Sequence, residues 1–229
     1  MNKKIKQMTN EDQRLYGCYP ALVTGNNDPN GQGRVRVQLP WSPDPEGESY
    51  EAWARLATLM AGNKRGSWFI PDIGDEVLLM FEAGDPRRPI VAGALWNGQD
   101  APPETMDGRS DNNIKSIVSR QGIRITLDDS AGAETLTLQT PKQSIVLNDG
   151  ASTIEISDVN GNSVRMEPSG ITVTSSAKVT VNSSTVNVSA GMVTVDAGMS
   201  KFSGVVQADT VIANVVISSV YTPGAGNIW

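Results

Sequence analysis

From Ile123 onward the chain is written in apolar-x-apolar pairs. They run Ile123/Ile125, Leu136/Leu138, Ile145/Leu147, Ile154/Ile156, Val164/Met166, Ile171/Val173, Val179/Val181, Val186/Val188 and Val193/Val195. Two apolar side chains flanking one polar residue share a face of an extended strand, so each pair predicts one short β-strand. Ser, Thr, Asn, Asp and Gly fill the intervals, with tight-turn signals at Asp149-Gly150, Asn160-Gly161 and Ser169-Gly170. The pairs up to about Met166 are spaced widely enough for antiparallel hairpins. From Ile171 the spacing tightens to seven or eight residues, a strand and a turn with nothing to spare.

The first hundred residues follow a different pattern. Residues 16–23 suit a first strand. Arg34-Val-Arg-Val-Gln-Leu39 alternates strictly, which turns Val35, Val37 and Leu39 inward. Trp53–Ala57, Val77–Phe81 and Ile90–Trp96 read as further strands. The Gly25–Gly33 cluster, Pro40–Gly47, Gly62–Gly66 and Gly84–Pro89 read as turns between them. Five strands with Gly/Pro turns predict a small closed barrel, for which the oligonucleotide/oligosaccharide-binding (OB) fold is the natural candidate. Gly25–Gly33 has the look of a calcium loop but lacks acidic ligands at alternate positions and a closing Glu. Asp44, Glu46 and Glu48 read as solvated loop carboxylates, not as an acid/base pair.

Composition narrows the chemistry. The 229 residues carry a net charge of -6, which opposes a nucleic-acid surface, and contain no histidine, which excludes Ser-His-Asp and Cys-His catalysis. The lone cysteine, Cys18, excludes an internal disulfide and reads as a small core residue, not a nucleophile. Aromatic residues concentrate between Tyr16 and Trp96 and are absent from Asn97 to Lys201. In the barrel they read as core or as a protein-docking face, not as a base-stacking platform.

The blocks Gly33–Trp41, Trp53–Ala57, Trp68–Val77, Phe81–Ile90 and Gly93–Gly98, in this order, resemble the spike family of contractile injection machines. That family includes phage baseplate assembly protein V, other phage central spikes and the VgrG spikes of type VI secretion. The resemblance implies an all-β chain: an N-terminal OB-fold barrel followed by an intertwined trimeric β-helix needle. The expected division is a tail at 1–15, the OB domain at 16–98, a linker at 99–113, the needle at 114–220 and a tip segment at 221–229. VgrG proteins carry a large hub domain before the barrel, so a short leading tail implies a phage protein with a separate hub subunit. The interval 99–113 leaves no room for an inserted lysozyme. The iron-binding His-x-His tip of some spikes has no counterpart in a chain without histidine.

Needle geometry agrees with that resemblance. A unit of seven or eight residues covers only one side of a rod, whereas three chains complete each turn and point their valines at a shared axis. Strands about 4.8 Å apart then give a rod on the order of 50 Å for ten units. The trimer core is expected to be Ile171, Val173, Val179, Val181, Val186, Val188, Val193 and Val195. Tyr221, Ile228 and Trp229 either plug the tip or form a platform for a separate PAAR-type cap. The reading calls for no catalytic residue, no metal and no cofactor. It names as partners two further copies of the chain, a baseplate hub at the barrel end and, transiently, the target cell envelope, and it places the protein in a virion after synthesis in the host cytoplasm. The competing readings are a β-solenoid enzyme degrading surface polysaccharide and the spike of a non-viral injection system. The first would need paired carboxylates on one face, and Asp128, Asp129, Glu134 and Glu155 show no such clustering at the unit spacing.

Overall fold

The computed structural model describes residues 14–43, 49–106 and 111–220. The leading tail to Gln13, the carboxylates Asp44, Glu46 and Glu48 and the tip residues Tyr221, Ile228 and Trp229 lie outside them. By its internal contacts the chain forms a unit ending at Lys178 and a second unit beginning at Val179. The described structure is all-β apart from one 3-10 turn at Glu82–Gly84.

The first unit opens with a closed barrel of β1 (Tyr19–Gly25), β2 (Val35–Pro43), β3 (Ser49–Leu56), β6 (Glu76–Phe81) and β7 (Pro89–Ala94). Its order is β1-β2-β3-β7-β6, closed by antiparallel pairing of β1 with β6. Only β3 and β7 run parallel, through Arg55↔Ile90 and Leu56↔Val91. This is the connectivity of an OB barrel. Period-two alternation explains the core: Val35, Val37 and Leu39 on β2 are fully buried, as expected, together with Ala21, Val23, Ala54, Val77 and Leu79.

Several sequence boundaries shift. The first strand starts at Tyr19, so that Cys18 lies ahead of it and is exposed, not in the core, and Pro40, Trp41 and Ser42 extend β2 in place of a loop. Pro40 is tolerated because β2 pairing with β3 is interrupted by a register shift between Leu39 and Pro43. The 62–66 turn belongs to a hairpin outside the barrel, β4 (Ala61–Gly62) with β5 (Arg65–Gly66), capped by Asn63 and Lys64. Lys64 there takes a φ of 54°.

The rest of the first unit is one antiparallel meander: β8 (Ile114–Val118), β9 (Arg124–Asp128), β10 (Thr135–Gln139), β11 (Gln143–Asn148), β12 (Thr153–Asp158), β13 (Ser163–Glu167) and β14 (Gly170–Thr174). The hairpin pattern therefore runs one strand further than Met166, and Ile171 and Val173 sit on β14 instead of opening the tight repeat. Ile123 precedes β9, whose apolar pair is Ile125/Leu127. The Asp149-Gly150 turn has a steric reason: a Cβ on Gly150 would lie 2.1 Å from the Gly132 carbonyl oxygen, where two turns on the same side of the sheet touch. From Ser175 to Val220 the described residues form no strand.

Candidate functional site

The seven strands pair without a single register shift, so residues line up in columns across the whole sheet. One column is Ile117-Ile125-Leu138-Ile145-Ile156-Val164-Val173, and the next is Lys115-Leu127-Leu136-Leu147-Ile154-Met166-Ile171. The columns are two residues apart on every strand and share a face. Lys115 alone in these columns is not apolar. It lies at the barrel-proximal end, where its ammonium donates to Asp129 (2.6 Å) and to the Asn112 carbonyl (2.8 Å).

The opposite face is polar. Arg165 donates to Glu155 across the strand pair and to Glu167 on its own strand, both at 2.9 Å. The Ser144 and Ser157 hydroxyls meet at 2.9 Å. A sheet this two-faced requires a cover on the apolar side. Among the described residues of one chain nothing supplies it: no residue of the two columns is buried, and Ile156 is 47% and Val173 59% exposed. A continuous apolar surface spanning seven strands is far beyond the scattered exposure normal on a monomer.

Of the sequence-proposed core residues, Ile171 and Val173 complete this face. Val179, Val181, Val186, Val188, Val193 and Val195 follow in the second unit, repeating at a period of seven, and are all more than 60% exposed. The apolar pairs upstream, from Ile125 to Met166, are visible in the sequence one strand at a time, but their alignment into columns with Ile117 extends the apolar face well beyond the core expected from Ile171 onward.

The barrel carries its own polar organisation. The Gly25–Gly33 loop is wound around Asp28, whose carboxylate accepts the backbone N–H of Asn30 (3.0 Å), Gln32 (2.8 Å) and Arg34 (3.2 Å). The Arg34 guanidinium completes the ring and stands where a calcium loop would hold its cation. Hydrogen bonding from Arg34, then from the loop amides, holds the Asp28 carboxyl well below the usual carboxylate range. Asp85 is held down to about 2 by Arg87 in the same manner. Tyr50 stacks edge-on to Phe81, donates its hydroxyl to the Pro86 carbonyl, and has its phenol pushed up mainly by burial and secondarily by Asp85. Of the aromatics, Phe81 is core, whereas Trp41, Trp68, Phe69 and Trp96 are exposed. Among the described residues no group of three or more acidic or cysteine side chains is gathered to hold a metal ion, and no helix is long and apolar enough to cross a membrane.

The 99–113 segment is more than a spacer. Glu104 pairs with Arg124 on β9, and Arg120, in the β8–β9 turn, pairs with Asp72 of the barrel at 3.1 Å. The Arg120–Asp72 pair thus joins the barrel directly to the first hairpin of the meander, while Glu104 fastens the connecting segment to β9.

Comparison with known proteins assigns both halves. Residues 19–96 match the type VI secretion system/phage-baseplate injector OB domain, and residues 135–199 match the phage baseplate V C-terminal trimerisation domain. The second match spans β10 to β14 and the valine repeat, and so takes in all eight proposed core residues, two on β14 and six in the repeat. Type VI secretion system spike protein VgrG1a of Pseudomonas aeruginosa is 32% identical over 156 residues, 61% of this chain and 24% of its own length. VgrG1c of the same organism is 35% identical over 136 residues, 53% of this chain and 18% of its own. The actin cross-linking toxin VgrG1 of Vibrio cholerae is 32% identical over 114 residues, 48% of this chain and 10% of its own. The chain spans about a quarter or less of the length of these relatives. The chain thus carries the injector OB domain and the phage baseplate V C-terminal trimerisation domain, in that order.

Proposed function

We propose that the protein is a homotrimeric, non-enzymatic spike of a contractile injection machine. The observation that carries this reading is the apolar face of β8–β14. Three copies turning that face to a common axis would bury it and leave Arg165, Glu155 and Ser144 toward water, and the valine repeat beyond Lys178 would likewise find its cover in the other two copies. Association then replaces missing core, so folding and trimer formation are coupled. The domain division follows: barrel at 16–98, an ion-paired connection at 99–113, needle at 114–220 and tip at 221–229. The barrel end docks on a hub, and the needle leads when the sheath contracts. Stiffness is the relevant chemistry, supplied by dense backbone hydrogen bonding and a dry core. A separate cap protein on Tyr221, Ile228 and Trp229 is part of the same reading.

A phage tail baseplate is the assembly we favour, because the trimerisation domain that matches is that of phage baseplate V; location in a virion follows from it. The VgrG relatives support the second reading, a spike of a type VI apparatus. Sedimentation equilibrium of the purified chain tests the shared core of both. A particle of three-chain mass that survives detergent is expected, and a folded particle of one-chain mass would refute it. Purifying sheath-containing particles and probing them for this chain separates the two assemblies.

A further inference from the structure

The β4–β5 hairpin and a groove beside β8 are complementary in both apolarity and charge. The groove, about 770 Å³, is lined on its apolar side by Phe69, Leu95 and Trp96; its acidic residues are Asp75, Glu76 and Asp100, and its one base, Arg120, is already paired with Asp72 at 3.1 Å. Glu76 and Asp100 converge on one donor, the Asn97 side-chain amide, at 2.9 and 3.3 Å. None of the three carboxylates has a cationic partner among the described residues. The hairpin presents the converse: Leu59 and Met60, 98% and 54% exposed, precede it, and Lys64 in its turn and Arg65 at the start of β5 carry its positive charge. Neither base is ion-paired among the described residues, whereas Arg34, Arg36, Arg55, Arg87 and Arg88 of the same barrel all are.

The hairpin does not fill its own chain's groove, since Leu59 is almost wholly exposed and Trp96 is 69% exposed. We propose that each hairpin inserts into the groove of a neighbouring copy, with Leu59 and Met60 against Trp96 and Phe69 and with Lys64 and Arg65 against Glu76 and Asp100. A head-to-tail contact of this kind closes on itself in a three-membered ring, which leaves no hairpin and no groove unused. The groove is also continuous with the self-association face. Ile117 lines the groove and heads one of the two apolar columns, so a hairpin seated there extends the same interface from the needle onto the barrel. Opposite charges set the sense of rotation in which the barrels dock and disfavour the reverse, where like charges would meet. The inference rests on the homotrimeric reading and adds the barrel-to-barrel contact.

Cross-linking tests it. In a Cys18→Ser background, full-length chains carrying Lys64→Cys and Asp100→Cys together are treated with a short bis-maleimide and run on a denaturing gel, with sedimentation of the untreated sample alongside. Covalent trimers are expected from the double variant, and covalent dimers from a co-expressed mixture of the two single variants. A three-chain particle giving no linkage between chains overturns the hairpin contact alone. A one-chain particle overturns the trimer and the contact with it. As a second arm, Lys64→Glu/Arg65→Glu is expected to lower the linkage severalfold between introduced cysteines at 59 and 96, and adding Glu76→Lys/Asp100→Lys is expected to restore it. Linkage indifferent to both changes removes the charge complementarity on which the contact depends.

Discussion

Arg34 grips Asp28 with two parallel bonds, Nε to Oδ2 at 3.1 Å and Nη2 to Oδ1 at 2.7 Å. The aspartate side chain is only 4% exposed. The guanidinium also lies 5.8 Å from the Trp53 ring centre, so one residue ties the β1–β2 loop to β3. Arg34→Lys is therefore expected to behave as a loss and not as a conservative change, because an ammonium cannot supply the fork. The barrel should melt several degrees lower in Arg34→Lys and in Asp28→Asn, and the double variant should be little worse than either single one. Calorimetry of the three variants checks this.

Acid should unfold the barrel late and within a narrow range. The depressed carboxyls, Asp28 and Asp85 foremost, contribute stability that is fully present above their unfolded value, about 3.9. It is lost as pH falls toward their folded values, which for Asp85 is about 2. The chain has no histidine to titrate between pH 5 and 8. Melting temperature is expected to be flat from pH 5 to 8 and to drop steeply below about pH 4. A broad decline beginning near pH 6 in a thermal-melt series would contradict the assignment.

The two faces of the meander should respond oppositely to charge. Ile145→Asp or Ile156→Asp places a carboxylate in the middle of the apolar columns and is expected to abolish the three-chain particle. Arg165→Ala removes a solvent-facing cross-strand pair with Glu155 and should leave the particle intact. Sedimentation velocity distinguishes them, and equal effects would mean that the apolar face is not the interface.

Gly150→Ala should cost about 1–3 kcal/mol although the position is exposed, because the new Cβ would collide with the Gly132 carbonyl 2.1 Å away. Backbone cannot move aside as a flexible side chain can. Ala151→Ser in the same turn is the control and should be near neutral in denaturant titration.

Much of this architecture was legible in the sequence for a simple reason: strands announce themselves by parity. Val35, Val37 and Leu39 could be placed in the barrel core, and Ile154/Ile156 on one face, because a period of two survives any later packing. Boundaries were less legible. Pro40 and Trp41 continue β2 only because a register shift frees the proline from the ladder, which depends on the partner strand. The β4–β5 hairpin hid behind Gly62 and Gly66, whose spacing reads as a turn. The Asp28–Arg34 fork hid for another reason: its two residues are six apart in a loop, where no periodicity applies. The columns themselves were missed because register between strands is a property of turn lengths summed over the whole meander, not of any one pair.

The unbroken register of β8–β14 also restricts how such proteins can evolve. Inserting or deleting one residue within a strand would rotate every following side chain by half a turn and turn the oily columns toward solvent. Losing a complete strand together with its turn would remove one rung and reverse the direction of the path, whereas losing two would leave all remaining rungs as they were. Inherited variants of this segment should therefore differ in length by whole hairpins, so that the width of the sheet is quantised.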